Sequence, residues 1–285
     1  MELAPPTAIT AFLRVRIAYA LSFTANPASH EISGALCNVL VRNPKNPQHY
    51  DSNSFYAPRA NSIKEVESIL GDLPPGICVR IDALATPSPQ VWQDVLAARD
   101  GWRVEQEVDI IMEATWTTTD VSQWAIEIPP QGYALHRATA SPLDQTAIMS
   151  LGVSFGSVEP LDWLRKRTAA MLGEAPGHTV FLTRDESGEA GFHVAFFRLA
   201  LSEVDEHALL AIMVVTGERH RRRGVASWAL RSALAEMVRD SGPGVTTRVF
   251  LEVDPENGGA RELYLKLGFR SLGLVKSCKM IPIGL

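Results

Sequence analysis

Residues 208–237 read ALLAIMVVTGERHRRRGVASWALRSALAEM. The run opens on eight apolar residues, Ala208 to Val215, short enough for a strand buried on both faces. It closes on Ala226, Ala229, Leu230, Ala233, Leu234 and Met237, which recur with the 3.6-residue period of a helix. Between the two, four arginines crowd into positions 219–223. A helix N-terminus presents unpaired N–H groups and a partial positive charge, so strand, basic crossover and helix in this order describe an anion site. Gly224 and Ala226 matter for what they lack, because a phosphate approaches a backbone N–H only where no bulky side chain intervenes. Arg221, Arg222 and Arg223 add charge-assisted contacts. Nucleoside triphosphate and dinucleotide loops do not fit: Gly224 is followed by Val225 where a P-loop needs Lys, and no G-x-G-x-x-G follows this strand.

The arginines are a local device, because the 285-residue chain carries a net charge of -5. That balance argues against nucleic acid as a partner, since such binders present an extended basic face. The length suits two domains, and 46% hydrophobic residues with 21% charged ones suit a soluble globular protein. Near the N-terminus AITAFLRVRIAYALSF is apolar but is interrupted by Arg14 and Arg16, which fits neither a signal peptide nor a membrane span. Cys37, Cys78 and Cys278 are odd in number and unpaired by spacing, so a reducing cytoplasm is expected, with no disulfide frame and no metal.

The stretch EATWTTTDVSQWAIEIPPQ, residues 113–131, breaks the periodic pattern, and a domain boundary is expected there, between 118 and 119. Beyond it GYALHRATA reads as a strand, SPLDQTAIMSLG and LDWLRKRTAAML as helices, and HTVFLTRDESGEAGFHVAFFRLA as a hairpin. TTRVFLEV is a further strand, NGGARELYLKLG a short helix ended by Gly268, and the remainder a final strand pair. The order predicts a mixed α/β fold.

Two motifs in this order, RRRGVA at 221–226 and NGGARELYLKLGF at 257–269, resemble the pyrophosphate loop [QR]-x-x-G-x-[GA] and the late N-x-x-A-x-x-L-Y-x-x-x-G-F signature of the GNAT superfamily of acetyl-CoA-dependent N-acetyltransferases. The resemblance covers residues 131–285. It implies a central, mostly antiparallel mixed sheet flanked by helices, and acetyl-CoA as co-substrate. It implies that main-chain groups of Val214, Val215 and Thr216 hold the acyl and pantetheine portion, and that N–H groups from Arg221 through Val225 to Ala226 hold the pyrophosphate. Asn257 would touch the cofactor near its thiol, and Tyr264 would protonate the departing thiolate. An amine attacking the thioester directly also needs a general base, for which Glu252, His193 and His207 are the candidates. The acceptor, a small-molecule or peptide amine, would sit against residues 141–175 and the first domain; neither membrane nor nucleic acid is expected, and a homodimer is compatible with the sequence. The alternative is an acyl-CoA-binding sensor without turnover.

The first half echoes the second. VRIDALATPSPQVWQDVLAARDGWRVEQEVDIIM runs parallel to FLEVDPENGGARELYLKLGFRSLGLVKSCKM, pairing Asp82 with Asp254, Gly101-Trp102 with Gly268-Phe269 and Met112 with Met280. Residues 1–118 are therefore expected to be a degenerate GNAT-like domain in a tandem, and 119–285 the catalytic one. The first half carries no R-x-x-G-x-A turn; RNPKNPQHYDSN, residues 42–53, stands in the corresponding region, and the helix around Trp92–Leu96 has no tyrosine.

Overall fold

The computed structural model describes residues 4–24, 37–47, 49–99, 101–126, 128–154, 161–201 and 206–282. Two compact units divide the chain, the first gathering residues 1–111, 252–257 and 271–285 and the second residues 112–251 and 258–270. The units interleave along the sequence, where a single cut at 118/119 is the sequence expectation.

Unit 1 opens with helix α1 (Pro6–Ser22), the apolar N-terminal stretch. No helix among the described residues is long and apolar enough to cross a membrane. α1 tolerates Arg16 because its guanidinium pairs with Glu252 and lies 3.3 Å from Asp51. The strands β1 (Val39–Leu40), β2 (Ser54–Tyr56) and β3 (Cys78–Ile81) follow, then the start of β4 (Trp102–Trp116). The later part of the last strand, β10 (Arg270–Pro282), stands between β3 and β4. β2 and β3 are parallel, so the chain crosses over through helix α2 (Ile63–Asp72). Helix α3 (Pro89–Ala97) joins β3 to β4. Phe55, Val66, Leu70, Val79, Ile81, Trp92 and Leu96 form one core, the inward faces of these strands and helices. None of the three cysteines is in a disulfide.

Unit 2 contains β5 (Tyr133–Arg137), α4 (Pro142–Ser154), α5 (Leu161–Ala169), β6 (His178–Asp185), β7 (Ala190–Leu201), β8 (Glu206–Thr216), α6 (Val225–Arg239), β9 (Thr246–Val253) and α7 (Gly258–Lys266). The strand order is β9-β8-β7-β6-β5, antiparallel except for the parallel pair β8–β9. Every element expected from 131 to 269 is present, and the class is mixed α/β. The expected final strand pair is instead the single strand β10, which no turn interrupts. Ala229, Leu230, Ala233, Leu234 and Met237 of α6 are buried, as the period requires. Glu113 is also buried, and it is neutralised from two sides by Arg248 (2.5 Å) and Arg270 (2.8 Å).

The sequence echo is an echo of structure. β7-β8-α6-β9-α7-β10 in the second half matches β1-β2-α2-β3-α3-β4 in the first, each with one antiparallel pair, one parallel crossover and a left-handed glycine before the last strand, Gly268 at φ 96° and Gly101 at φ 91°. The counterpart of the arginine loop is the β2–α2 connection at 57–62, APRANS, and not residues 42–53, which precede β2.

Candidate active site

β8 pairs with β9 from Glu206↔Thr246 to Leu210↔Phe250 and no further, although both strands continue. From Ala211 to Thr216 the edge of β8 that faced β9 is therefore released, while its other edge stays paired to β7. The register of β7 against β8 shifts within this stretch, where Ala195 faces Ile212 but His193 faces Val215. Met213, at φ 54°, takes up the extra residue of a β-bulge. Val214, Val215 and Thr216 thus lie on a strand whose main-chain donors and acceptors have left the ladder on one side, which is what a ligand bonding to backbone needs.

Thr216 leads through Gly217 into a short 3₁₀ turn, Glu218–His220, and then the arginines. Arg222 (φ 62°) and Gly224 (φ 76°) both adopt the left-handed conformation. Alternation of this kind turns successive N–H groups to one side, as in anion-binding nests. Gly224 is the N-cap of α6 and offers no side-chain cap, and no acidic residue stands in the first turn. The first N–H groups of α6 are therefore left without an intrahelical acceptor. Arg221, Arg222, Arg223 and Gly224 are exposed, Val225 is buried beneath them and Ala226 is partly buried. Arg221 Nε reaches back to the Thr216 carbonyl at 3.3 Å, leaving Arg222 and Arg223 pointing outward with the loop.

The corresponding helix of unit 1 starts in the opposite way. Ser62 is the N-cap, its Oγ accepting from Glu65 N (3.3 Å), and the Glu65 carboxylate accepts from Asn61 N (2.7 Å) just before the helix. The connection also contains Pro58, which has no N–H, and its Arg59 is held 3.3 Å from Asp82. One of the donors that α6 leaves open, here Glu65 N, is taken up by Ser62 Oγ, and the Glu65 carboxylate sits at the start of the helix. The Ser-x-x-Glu spacing was visible in the sequence and identifies this difference.

Tyr264 is on α7, 5% exposed, with its ring edge-on to Phe269 at 5.9 Å. Phe269 N bonds to the Tyr264 carbonyl and Gly268 N to that of Leu265, both at 3.0 Å, the Schellman closure that the left-handed Gly268 permits. Burial pushes the phenol up to about 12, so it stays protonated at neutral pH. No described residue hydrogen-bonds its hydroxyl. Glu262 on the same helix is held below its usual range, chiefly by Lys266 and to a smaller extent by Arg222, which brings α7 close to the loop. Asn257 precedes α7, exposed, and is counted with unit 1.

The three candidate bases part company. His193 is fully buried on β7, and burial, reinforced by Arg167, pushes it down to about 3. His207 on β8 has Nδ1 3.1 Å from Arg198 and is lowered by burial and that charge. Glu252, in unit 1, is raised to about 7 by burial, against the pull of Arg16. Only Glu252 is tuned towards neutrality. His178 is likewise pushed down to about 3 by burial. A histidine with a lowered folded pKa contributes stability that is present above the unfolded value near 6.5 and lost as pH falls towards the folded one. Asp144, held below the usual carboxylate range by hydrogen bonds that outweigh its burial, loses its contribution only as pH falls below the unfolded value of about 3.9. Glu252, raised to about 7, works the opposite way as pH falls, but it is one group against two histidines. The melting temperature is therefore expected to fall between pH 6.5 and 4, and His193→Phe to flatten that decline. An unchanged slope in the variant would remove His193 from the account.

Residues 150–269 match the model of the acetyltransferase (GNAT) family. The matched segment, which contains the loop, α6 and α7, is similar to that family. Among solved structures the chain is similar to a GCN5-related N-acetyltransferase from Kribbella flavida (TM-score 0.54, 16% identity, 81% of each chain). It is also similar to a functionally unknown conserved protein from Staphylococcus epidermidis (TM-score 0.57, 8% identity, 88% of this chain and 93% of that one). At such identities the likeness concerns the fold, and it extends well beyond the family-matched segment. No curated protein matches the sequence. Family and fold together support N-acetyltransferase activity in general.

Proposed function

We propose that this protein moves an acetyl group from acetyl-CoA to a primary amine by direct attack, using unit 2. The observation that carries the reading is the uncapped start of α6 after a strand that has left its neighbour, set against the self-capped start of α2. Backbone N–H groups from Arg221 to Ala226 hold the pyrophosphate, with Arg222 and Arg223 adding charge. Main-chain groups of Val214 to Thr216 hold the pantetheine and the thioester carbonyl, and Asn257 assists near the thiol. Acetyl-CoA supplies an activated acyl group whose C–S bond breaks as the N–C bond to the amine forms. Released β8 donors stabilise the oxygen that gains charge, Tyr264 gives its proton to the departing sulfur, and the proton that the attacking nitrogen loses returns through water to the phenolate. The acceptor meets residues 141–175, of which 155–160 lie outside the described residues. Neither nucleic acid nor membrane is assigned as a partner, and the cytoplasm is the assigned compartment.

Because α2 is closed by Ser62 and Glu65, calorimetric titration is expected to give one CoA per chain. A value near two would mean that unit 1 also binds. Thiol release from acetyl-CoA across a panel of amines, amino acids and peptides tests the reaction itself. CoA binding without thiol release under any acceptor would favour a sensor.

A further inference from the structure

Beside the arginine loop lies a cleft of about 380 Å³, lined among others by Thr146, Ser150, Glu189 and His220. We propose that Glu189 and His220, which line this cleft, together with the neighbouring Asp185 bind a divalent transition-metal cation, zinc by preference. Asp185 ends β6, Glu189 precedes β7 and His220 closes the 3₁₀ turn, and one ligand atom from each lies within 4.8 Å of the others.

The histidine distinguishes this group from an ordinary acidic turn. His220 is 4% exposed, and its Nδ1 lies 2.8 Å from the Tyr133 hydroxyl. Its Nε2 is buried and makes no hydrogen bond, and it points to Glu189 Oε1 at 3.6 Å, too far for one. A buried ring nitrogen without a partner is costly, and such groups mark ions or other ligands. The ring cannot turn away. A Cβ on Gly191 would stand 3.2 Å from His220 Nδ1, and one on Gly217 would stand 3.1 Å from His220 Cδ2, so the backbone closes on the imidazole from two sides.

The carboxylates are correspondingly arranged. Asp185 Oδ1 accepts from Ser187 N (2.9 Å), Ser187 Oγ (2.6 Å) and Glu189 N (3.0 Å), which fixes the turn and leaves Oδ2 outside these bonds. The Glu189 side chain is 50% exposed, with Arg219 no nearer than 4.0 Å, and can swing inward. In a tetrahedral zinc site with bonds near 2.1 Å, ligand atoms stand about 3.4 Å apart, close to the 3.6 Å between His220 Nε2 and Glu189 Oε1, and the group's 4.8 Å limit leaves the remaining closure small. One imidazole and two carboxylates suit zinc or manganese better than calcium or magnesium, which take oxygen ligands. Tyr133 supplies the outer partner that fixes a ligating imidazole. The cleft gives an entry path and room for a solvent ligand. No metal is expected from the cysteines, and His220 is remote in sequence from the two acids.

The site stands independently of acetyl-CoA binding, and its test uses no turnover. The full chain, freed of metal with a chelator, is titrated with Zn²⁺ by calorimetry, with Mg²⁺ as control and Co²⁺ absorption as a report of imidazole ligation. One saturable Zn²⁺ site is expected. Glu189→Gln and Asp185→Asn should each weaken it at least tenfold, and Tyr133→Phe by about tenfold through the lost outer contact. Metal-free melting curves check that each variant is folded, and Glu189→Gln, at a half-exposed position, secures the test if the others are not. Absence of saturable binding, or a folded Glu189→Gln with unchanged affinity, overturns the proposal and leaves His220 as a buried packing residue.

Discussion

Gly224→Val is expected to abolish the thermal stabilisation that CoA confers, which at ligand 100-fold above its dissociation constant is about 2.7 kcal/mol. The reason lies in the backbone. A Cβ on Gly224 would meet no atom within 4 Å, so valine has space, but it cannot hold φ 76° without strain. Relaxing that angle turns the N–H groups of the loop away from one another. Its side chain would also stand over the donors at the start of α6, where a phosphate must come close. Gly224→Asn separates these two effects, because asparagine tolerates the left-handed region while adding bulk. Loss of binding in both variants points to approach, and loss in valine alone points to conformation. A CoA-dependent melting shift that survives in Gly224→Val would remove the loop from the pyrophosphate site.

Tyr264→Phe is expected to lower turnover by at least ~100-fold while CoA affinity stays within a few-fold, the signature of a group that acts in the transition state. Removing the oxygen keeps the ring against Phe269 and breaks no hydrogen bond to a described residue, so the melting temperature should hardly change. With the phenol pushed up to about 12, the proton is available throughout the physiological range. Thiols leave fairly readily and water can partly replace the phenol, which makes the low end of the range the expected one. Turnover near the wild-type rate with the true acceptor would make Tyr264 a packing residue.

Much of this was local and therefore readable. The strand, loop and helix of 208–237 follow from one continuous apolar run, one helical period and one glycine, because neighbouring residues alone fix them. The same holds for α7 with its closing Gly268, and for the Ser62–Glu65 cap that seals the first unit's helix. The echo between halves was legible as a pattern, but its alignment went astray at residues 42–53, since strands of two or three residues carry too little period to be placed. Tertiary pairing decided the rest. Where β8 parts from β9 after Leu210 depends on a partner remote in sequence, and the bulge at Met213 exists only relative to β7. The tail became one strand because β3 pairs with its later half, at Cys278 to Met280. His220 looked like one more polar residue in a basic loop; it is buried because two glycines and Tyr133 close around its ring. Its approach to Asp185 and Glu189 follows from the antiparallel pairing of β6, β7 and β8, which returns the chain to the same end of the sheet, and no spacing in the sequence encodes that return.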